Sequence, residues 1–102
     1  MLELRPNCEL CDIDLPPASE QARICTYECT FCVTCAKDVL LGVCPNCGGN
    51  LVQRPIRPRN SWRQGTGLSH HPASADRRSG KWTAQERQDL SDKLTKVPPD
   101  QR

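Results

Sequence analysis

Eight cysteines, Cys8, Cys11, Cys25, Cys29, Cys32, Cys35, Cys44 and Cys47, fall within the first 47 residues of the 102-residue chain. Their spacing is C-x2-C-x13-C-x3-C-x2-C-x2-C-x8-C-x2-C. A C-x2-C step turns two thiolates toward one ion through a tight backbone knuckle, and four thiolates complete a tetrahedral zinc shell. Eight ligands therefore predict two Zn²⁺ ions. A catalytic zinc keeps one position open for water or substrate; an all-cysteine shell is closed, so the pattern predicts structural zinc and a protein that is not an enzyme. Paired carboxylates, a nucleophile triad and a phosphate-cradling glycine loop find no supporting context in the chain. An iron–sulfur centre on the compact Cys25–Cys35 run is the weaker use, because its x3, x2, x2 order reverses the bacterial ferredoxin run. A thioredoxin-like redox role needs a βαβ scaffold for which this chain is too short.

Disulfides are the other use of eight thiols, with 105 possible connectivities. The N-terminal Met1-Leu2-Glu3-Leu4-Arg5-Pro6 lacks the basic and apolar regions of a signal peptide. No stretch approaches the roughly 18 apolar residues of a membrane span. These readings predict a cytoplasmic protein without membrane contact, and in a reducing cytosol thiols pair with metal.

The elements that must hold these ligands are short. Leu2-Glu3-Leu4 alternates as a strand leading to the first knuckle would, and Ala22-Arg23-Ile24-Cys25 reads as a second strand. Val33, Ala36, Val39 and Leu40 follow helical spacing, with Gly42 where a helix C′ glycine belongs, so about two turns of helix are expected from Val33 to Leu41. Leu51-Val52 is a candidate closing strand. The apolar residues are too few for a free-standing core, and domains below about 40–70 residues usually need disulfides or metals. A structural zinc site supplies about 10–16 kcal/mol of apparent binding free energy, much of it realised as folding energy.

Composition changes at Gln53, dividing the chain into a two-zinc domain over 1–52 and a basic, largely disordered tail over 53–102. Residues 1–51 carry three basic and seven acidic side chains, and residues 52–102 eleven basic and five acidic. Loading eight thiolates with two divalent ions takes the head to about −8. Arg54-Pro55-Ile56-Arg57-Pro58-Arg59 reads as a stiff extended linker, and residues 60–81 offer almost nothing to bury. Thr83-Ala84-Gln85-Glu86 has the form of a capping box, predicting a marginal helix over 84–96 with an apolar stripe of Leu90, Leu94 and Val97.

Two ligand pairings are compatible with the spacing. A sequential scheme joins Cys25, Cys29, Cys32 and Cys35, leaving Cys8, Cys11, Cys44 and Cys47 for the other ion. An interleaved scheme joins Cys8, Cys11, Cys32 and Cys35 at the first zinc and Cys25, Cys29, Cys44 and Cys47 at the second. The cysteine pattern of residues 8–47 resembles the cross-brace of RING fingers, with Cys29 where most of them have histidine. Leu10 in the first knuckle, Phe31 before Cys32, and the Cys44-Pro45 step match that family too. The resemblance implies the interleaved scheme and a small metal-stabilised fold: a RING-like (treble-clef, cross-brace) zinc finger with a short β-hairpin and one short helix; the tail, read as disordered from its composition, lies outside it. Residues 1 to about 55 resemble a small bacterial family, domain of unknown function 1272, through the opening Met-Leu-Glu-Leu-Arg-Pro-Asn-Cys, Asp-Leu-Pro-Pro, Cys-Thr-Phe-Cys and Cys-Pro-Asn-Cys-Gly-Gly. That resemblance implies a compact, zinc-binding protein from a bacterium.

The expected function is a protein-interaction adaptor with an unidentified protein partner. One alternative is a ubiquitin-ligase-like recruiter using Leu10 and Pro45, although Gly48 replaces the basic residue often found after the last ligand, and no tryptophan lies between Cys35 and Cys44. Another is a nucleic-acid accessory protein. Arg54, Arg57, Arg59, Arg63, Arg77, Arg78 and Lys81, interspersed with Trp62 and Trp82, would bind phosphates and stack on bases weakly. The bland reading of the tail is a solvated extension, or one that folds back on the acidic head. His70-His71 is a lone pair of possible ligands in that tail, a pattern more often inert.

Overall fold

The computed structural model describes residues 1–102. Three short antiparallel strands, β1 (Ala22–Ile24), β2 (Thr30–Cys32) and β3 (Val52–Gln53), form a sheet in the order β2-β1-β3. In the β1–β2 hairpin Ala22 pairs with Cys32 and Ile24 with Thr30; β3 lies on the other side of β1, with Arg23 opposite Gln53. A short helical stretch, Cys35–Val39, follows β2, and a helix α1 occupies Ala84–Leu94.

Residues Leu2–Leu4, expected as a strand, pair with no strand. Their backbone is taken up by other segments: Glu3 N donates to Glu28 Oε2 (2.9 Å), Leu2 O accepts from Arg57 (2.7 Å) and Leu4 O from Ser74 N (3.0 Å). The first knuckle instead closes through an antiparallel bridge between Asn7 and Asp14. The expected two-turn helix over Val33–Leu41 is shorter and wider. Leu40 N bonds back five residues to Cys35 O (2.8 Å), and Gly42 N six residues to Ala36 O (2.8 Å). Leu41 and Gly42 both turn left-handed, at φ 53° and 76°. The wide turn places Cys35, Ala36 and Leu40 inward.

The main buried cluster holds eleven residues, of which only Leu15, Ala22, Phe31, Ala36 and Leu40 are not cysteine. Full burial of a large apolar side chain contributes about 1.5–3 kcal/mol. Leu4, Ile24 and Val43 are buried outside this cluster, so the head has few large apolar side chains and six of the eleven cluster residues are cysteines.

The tail is where the structure departs furthest from the expectation of disorder. Residues 53–102 wrap the head, and most of the tail's arginines find a partner on it. Arg54 is 1% exposed, and its guanidinium donates to Arg5 O (2.9 Å), Leu15 O (3.2 Å) and Pro16 O (3.1 Å). Arg57 spans His71 O and Leu2 O, both at 2.7 Å. Arg77 reaches Asp12 and Asp14 (2.8 and 2.6 Å), and Arg78 takes both oxygens of Glu3 at 3.0 Å. Burial alone would raise the Glu3 carboxyl, but hydrogen bonds from Arg78, Arg5 and Ser74 outweigh it and hold Glu3 below the usual carboxylate range. Asn7 fastens the same strap through two bonds, Nδ2 to Arg78 O (2.7 Å) and Arg78 N to Oδ1 (3.1 Å). Composition misses this because isolated arginines read as solvated, whereas an acidic head with free carbonyls provides each with an acceptor.

Thr83 and Glu86 form the reciprocal capping box, at 3.1 Å in both directions. Helix α1 docks by polar contacts: Ser91 Oγ, 1% exposed, donates to Leu40 O (2.9 Å), and Thr95 Oγ1 to Leu41 O (2.9 Å). No helix is long and apolar enough to cross a membrane.

Arg54 is a buried cation facing carbonyl dipoles alone. Its removal strands three carbonyls and leaves a cavity. Arg54→Ala is expected to lower stability by about 3 kcal/mol, read as a reduced urea midpoint, while exposed Arg59→Ala leaves the midpoint unchanged.

Candidate metal centre

The structure gathers the cysteines into two groups. The sulfurs of Cys8, Cys11, Cys32 and Cys35 all lie within 4.8 Å of one another, and so do those of Cys25, Cys44 and Cys47. Cys29, the remaining residue of the expected second set, is not within that distance of its group. It is buried beside Cys25: burial pushes its thiol up, the Asn46 amide works the other way, and Cys25 pushes it up again. The four-cysteine grouping of the sequential scheme, Cys25 with Cys29, Cys32 and Cys35, does not occur; Cys32 and Cys35 stand with the first knuckle.

Two of the knuckles are copies of one another. In Cys8–Ile13, Cys8 N donates to Ile13 O (2.9 Å) and Asp12 N to Cys8 O (2.9 Å). In Cys44–Gly49, Cys44 N donates to Gly49 O and Gly48 N to Cys44 O, both at 2.8 Å. The residue after each second cysteine is left-handed, Asp12 at φ 66° and Gly48 at φ 78°. This conformation closes the loop on the two sulfurs; glycine adopts it without strain and aspartate more readily than most residues. In both knuckles the first cysteine is fully buried and the second faces solvent.

The two remaining pairs come from the sheet. Cys25 and Cys29 flank the β1–β2 turn, with Glu28 left-handed at φ 68°. Cys32 ends β2 and Cys35 begins the wide helical turn. The first knuckle is stitched to β2 by Glu9, 6% exposed. Its N donates to Thr30 O (2.9 Å), and its Oε2 accepts from Thr30 N (2.5 Å) and Arg5 Nη1 (2.9 Å).

This donor set fits a soft metal ion. Cys11 and Cys32 sulfurs are 3.8 Å apart, the edge of a tetrahedron with metal–sulfur bonds of about 2.3 Å. Backbone N–H groups point at four sulfurs: Cys11 N at Cys8 (3.5 Å), Tyr27 N at Cys25 (3.3 Å), Cys35 N at Cys32 (3.4 Å) and Gly49 N at Cys47 (3.4 Å). Such donors stabilise thiolates rather than thiols. Without a cation the same crowding is unfavourable to charge. Burial, then Cys32 and Cys8, push the Cys35 thiol far up, and burial with Cys25 and Cys29 does so to Cys44. A divalent ion among the sulfurs inverts that balance.

The sequence reading missed Asn46. It sits inside the last knuckle, where its Oδ1 accepts from Trp82 Nε1 (2.9 Å), so one side chain joins the second sulfur group to the tail. Its place between two ligands was the available signal. Among the other residues singled out, Phe31 and Pro45 are buried and Leu10 packs partly buried against the core. His70 Nδ1 is engaged by Ser61 Oγ (2.8 Å), and neither His70 nor His71 joins a ligand group.

Residues 1–57 match the family described as Protein of unknown function (DUF1272). The chain belongs to this family. An uncharacterized protein of Rhizobium meliloti (strain 1021) is 58% identical over 77 residues, covering 76% of this chain and 84% of the relative. Because 77 residues exceed the family's 57, this likeness extends into the tail. No solved structure matches the chain.

Gly48 holds both a left-handed turn and a tail contact, since a Cβ there would lie 3.0 Å from Leu94 Cδ1. Gly48→Ala is expected to cost about 1–3 kcal/mol and to speed amide exchange in α1 as well as in the last knuckle. Gly65→Ala, where a Cβ meets nothing within 4 Å, should leave α1 unaffected.

Proposed function

We propose that this protein is a non-enzymatic zinc module, a RING-like cross-braced head that serves as an adaptor presenting a small surface to a protein partner. Cys8, Cys11, Cys32 and Cys35 hold one Zn²⁺. Cys25, Cys44 and Cys47 hold the other, with Cys29 completing the shell by a movement of its side chain. The observation that carries this reading is the crossing of the two sulfur groups along the chain. Each draws on a knuckle and on one end of the β1–β2 hairpin, so each ion ties remote segments together.

Closed thiolate shells leave no position for water or substrate, which favours a structural over a catalytic ion. Zinc suits four thiolates in a tetrahedron without redox chemistry. Two other readings draw less support. Most of the tail's arginines are already bonded to the head, which reduces the charge available to phosphates. The tail also lies against the last knuckle through Trp82 on Asn46 and Leu94 on Gly48, the surface a ligase-like recruiter would need free.

Native mass spectrometry with metal analysis tests the reading, and two zinc ions per chain with all thiols reduced is the expected result. Cys11→Ser should lose an ion and unfold the head. Iron, disulfides, or a folded Cys11→Ser variant that keeps two ions would contradict it.

A further inference from the structure

The acidic head has one local exception. Of its three basic side chains, Arg5 is occupied by Glu3 and Glu9, at 3.1 and 2.9 Å. The other two, Arg23 and Lys37, enter no ion pair. Arg23 Nη1 donates only to the carbonyls of Glu20 and Ala22, at 2.8 and 3.2 Å. Both cations line one groove of about 490 Å³ between the sheet and the wide helical turn. Its apolar surface comes from Val33, Ala36, Leu41 and Leu51, and no acidic side chain lines it.

Leu41 adds a second observation. It is 37% exposed and left-handed at φ 53°, a conformation that costs a non-glycine residue about 1–3 kcal/mol. Thr95 from the tail, which forms one wall of the groove, donates to Leu41 O (2.9 Å) and holds this turn in place. Leu41 therefore presents an aliphatic side chain to solvent from a turn whose backbone the tail holds fixed, a preformed apolar wall of the groove.

We propose that this groove binds an extended acidic segment of a partner protein, with aliphatic side chains on Val33, Ala36, Leu41 and Leu51 and carboxylates against Arg23 and Lys37. The proposal rests on the adaptor reading and specifies the partner's chemistry. Charge supplies the selectivity. Arg23 and Lys37 face the groove and no acidic side chain lines it, so it favours an acidic segment over a basic one. Apolar contact supplies the affinity, because exposed ion pairs alone contribute little.

The test uses the full-length, zinc-loaded chain and a fluorescein-labelled nonapeptide alternating glutamate with leucine, followed by fluorescence anisotropy. The controls are a lysine–leucine peptide and a glutamate–serine peptide. Saturable binding of the glutamate–leucine peptide alone is expected. Lys37→Glu, at an exposed position, should weaken it about fivefold or more, because it sets a like charge against the peptide's carboxylates, and Arg23→Gln with Lys37→Glu further still. Equal binding of either control, binding indifferent to both variants, or no binding overturns the proposal. So does a dimer of this chain, or capture of a single-stranded oligonucleotide, that is lost with the same substitutions and excludes the peptide. Native mass spectrometry of the same samples separates two failures. Two zinc ions without peptide binding overturns the groove alone, whereas a chain without zinc overturns the module reading beneath it.

Discussion

Four sulfurs within 4.8 Å of one another, largely out of contact with water, form an arrangement that neutral thiols have little reason to adopt and bare thiolates cannot tolerate. The rest of the head follows from making that arrangement favourable. Knuckles with left-handed fifth residues turn paired sulfurs inward, and N–H groups point at four of them. The strands are only two or three residues long, and the β1–β2 hairpin is tied to both sulfur groups through Cys25 and Cys32. On the proposed reading, coordination takes the role that hydrocarbon packing has in larger domains.

The same chemistry explains the tail. The head is rich in carboxylates, and metal-bound thiolates would deepen its charge, a field in which guanidinium groups are held close. Arg77 answers Asp12 and Asp14 at the first knuckle, Arg78 answers Glu3 ahead of it, and Arg54 enters the interior on carbonyl oxygens alone. Burial lowers the Arg54 pKa from its ordinary value, which marks the desolvation cost that those carbonyls and the surrounding negative charge must offset. Trp82 on Asn46 and Leu94 on Gly48 bring the tail to the last knuckle, so the tail touches both ends of the cysteine run.

Much of the site was legible because its signal is local. Ligand spacing, the glycine at position 48 and the capping box at Thr83 each report on a few adjacent residues, and helix α1 begins where that box places it. The hairpin was half legible. Ala22–Ile24 reads as a strand, but Thr30–Cys32 is hidden because its residues double as knuckle positions. What escaped was non-local. Nothing near Arg54 announces that the carbonyls of Arg5, Leu15 and Pro16 will converge on it, and nothing in Leu2–Leu4 reveals that the tail will claim its backbone. Asp12 was missed for a different reason: its equivalence to Gly48 lies in a shared left-handed backbone, and aspartate carries no turn signal as strong as glycine's.

The central claim is that bound metal, not apolar packing, holds residues 7–54 in place. The most direct measurement is the amide ¹H–¹⁵N spectrum of the reduced, full-length protein before and after exhaustive chelation. The account predicts that the dispersed signals of both knuckles and of β1–β3 collapse to unfolded positions and return when two equivalents of zinc are restored. A chelated, reduced chain whose spectrum keeps its dispersion would contradict it.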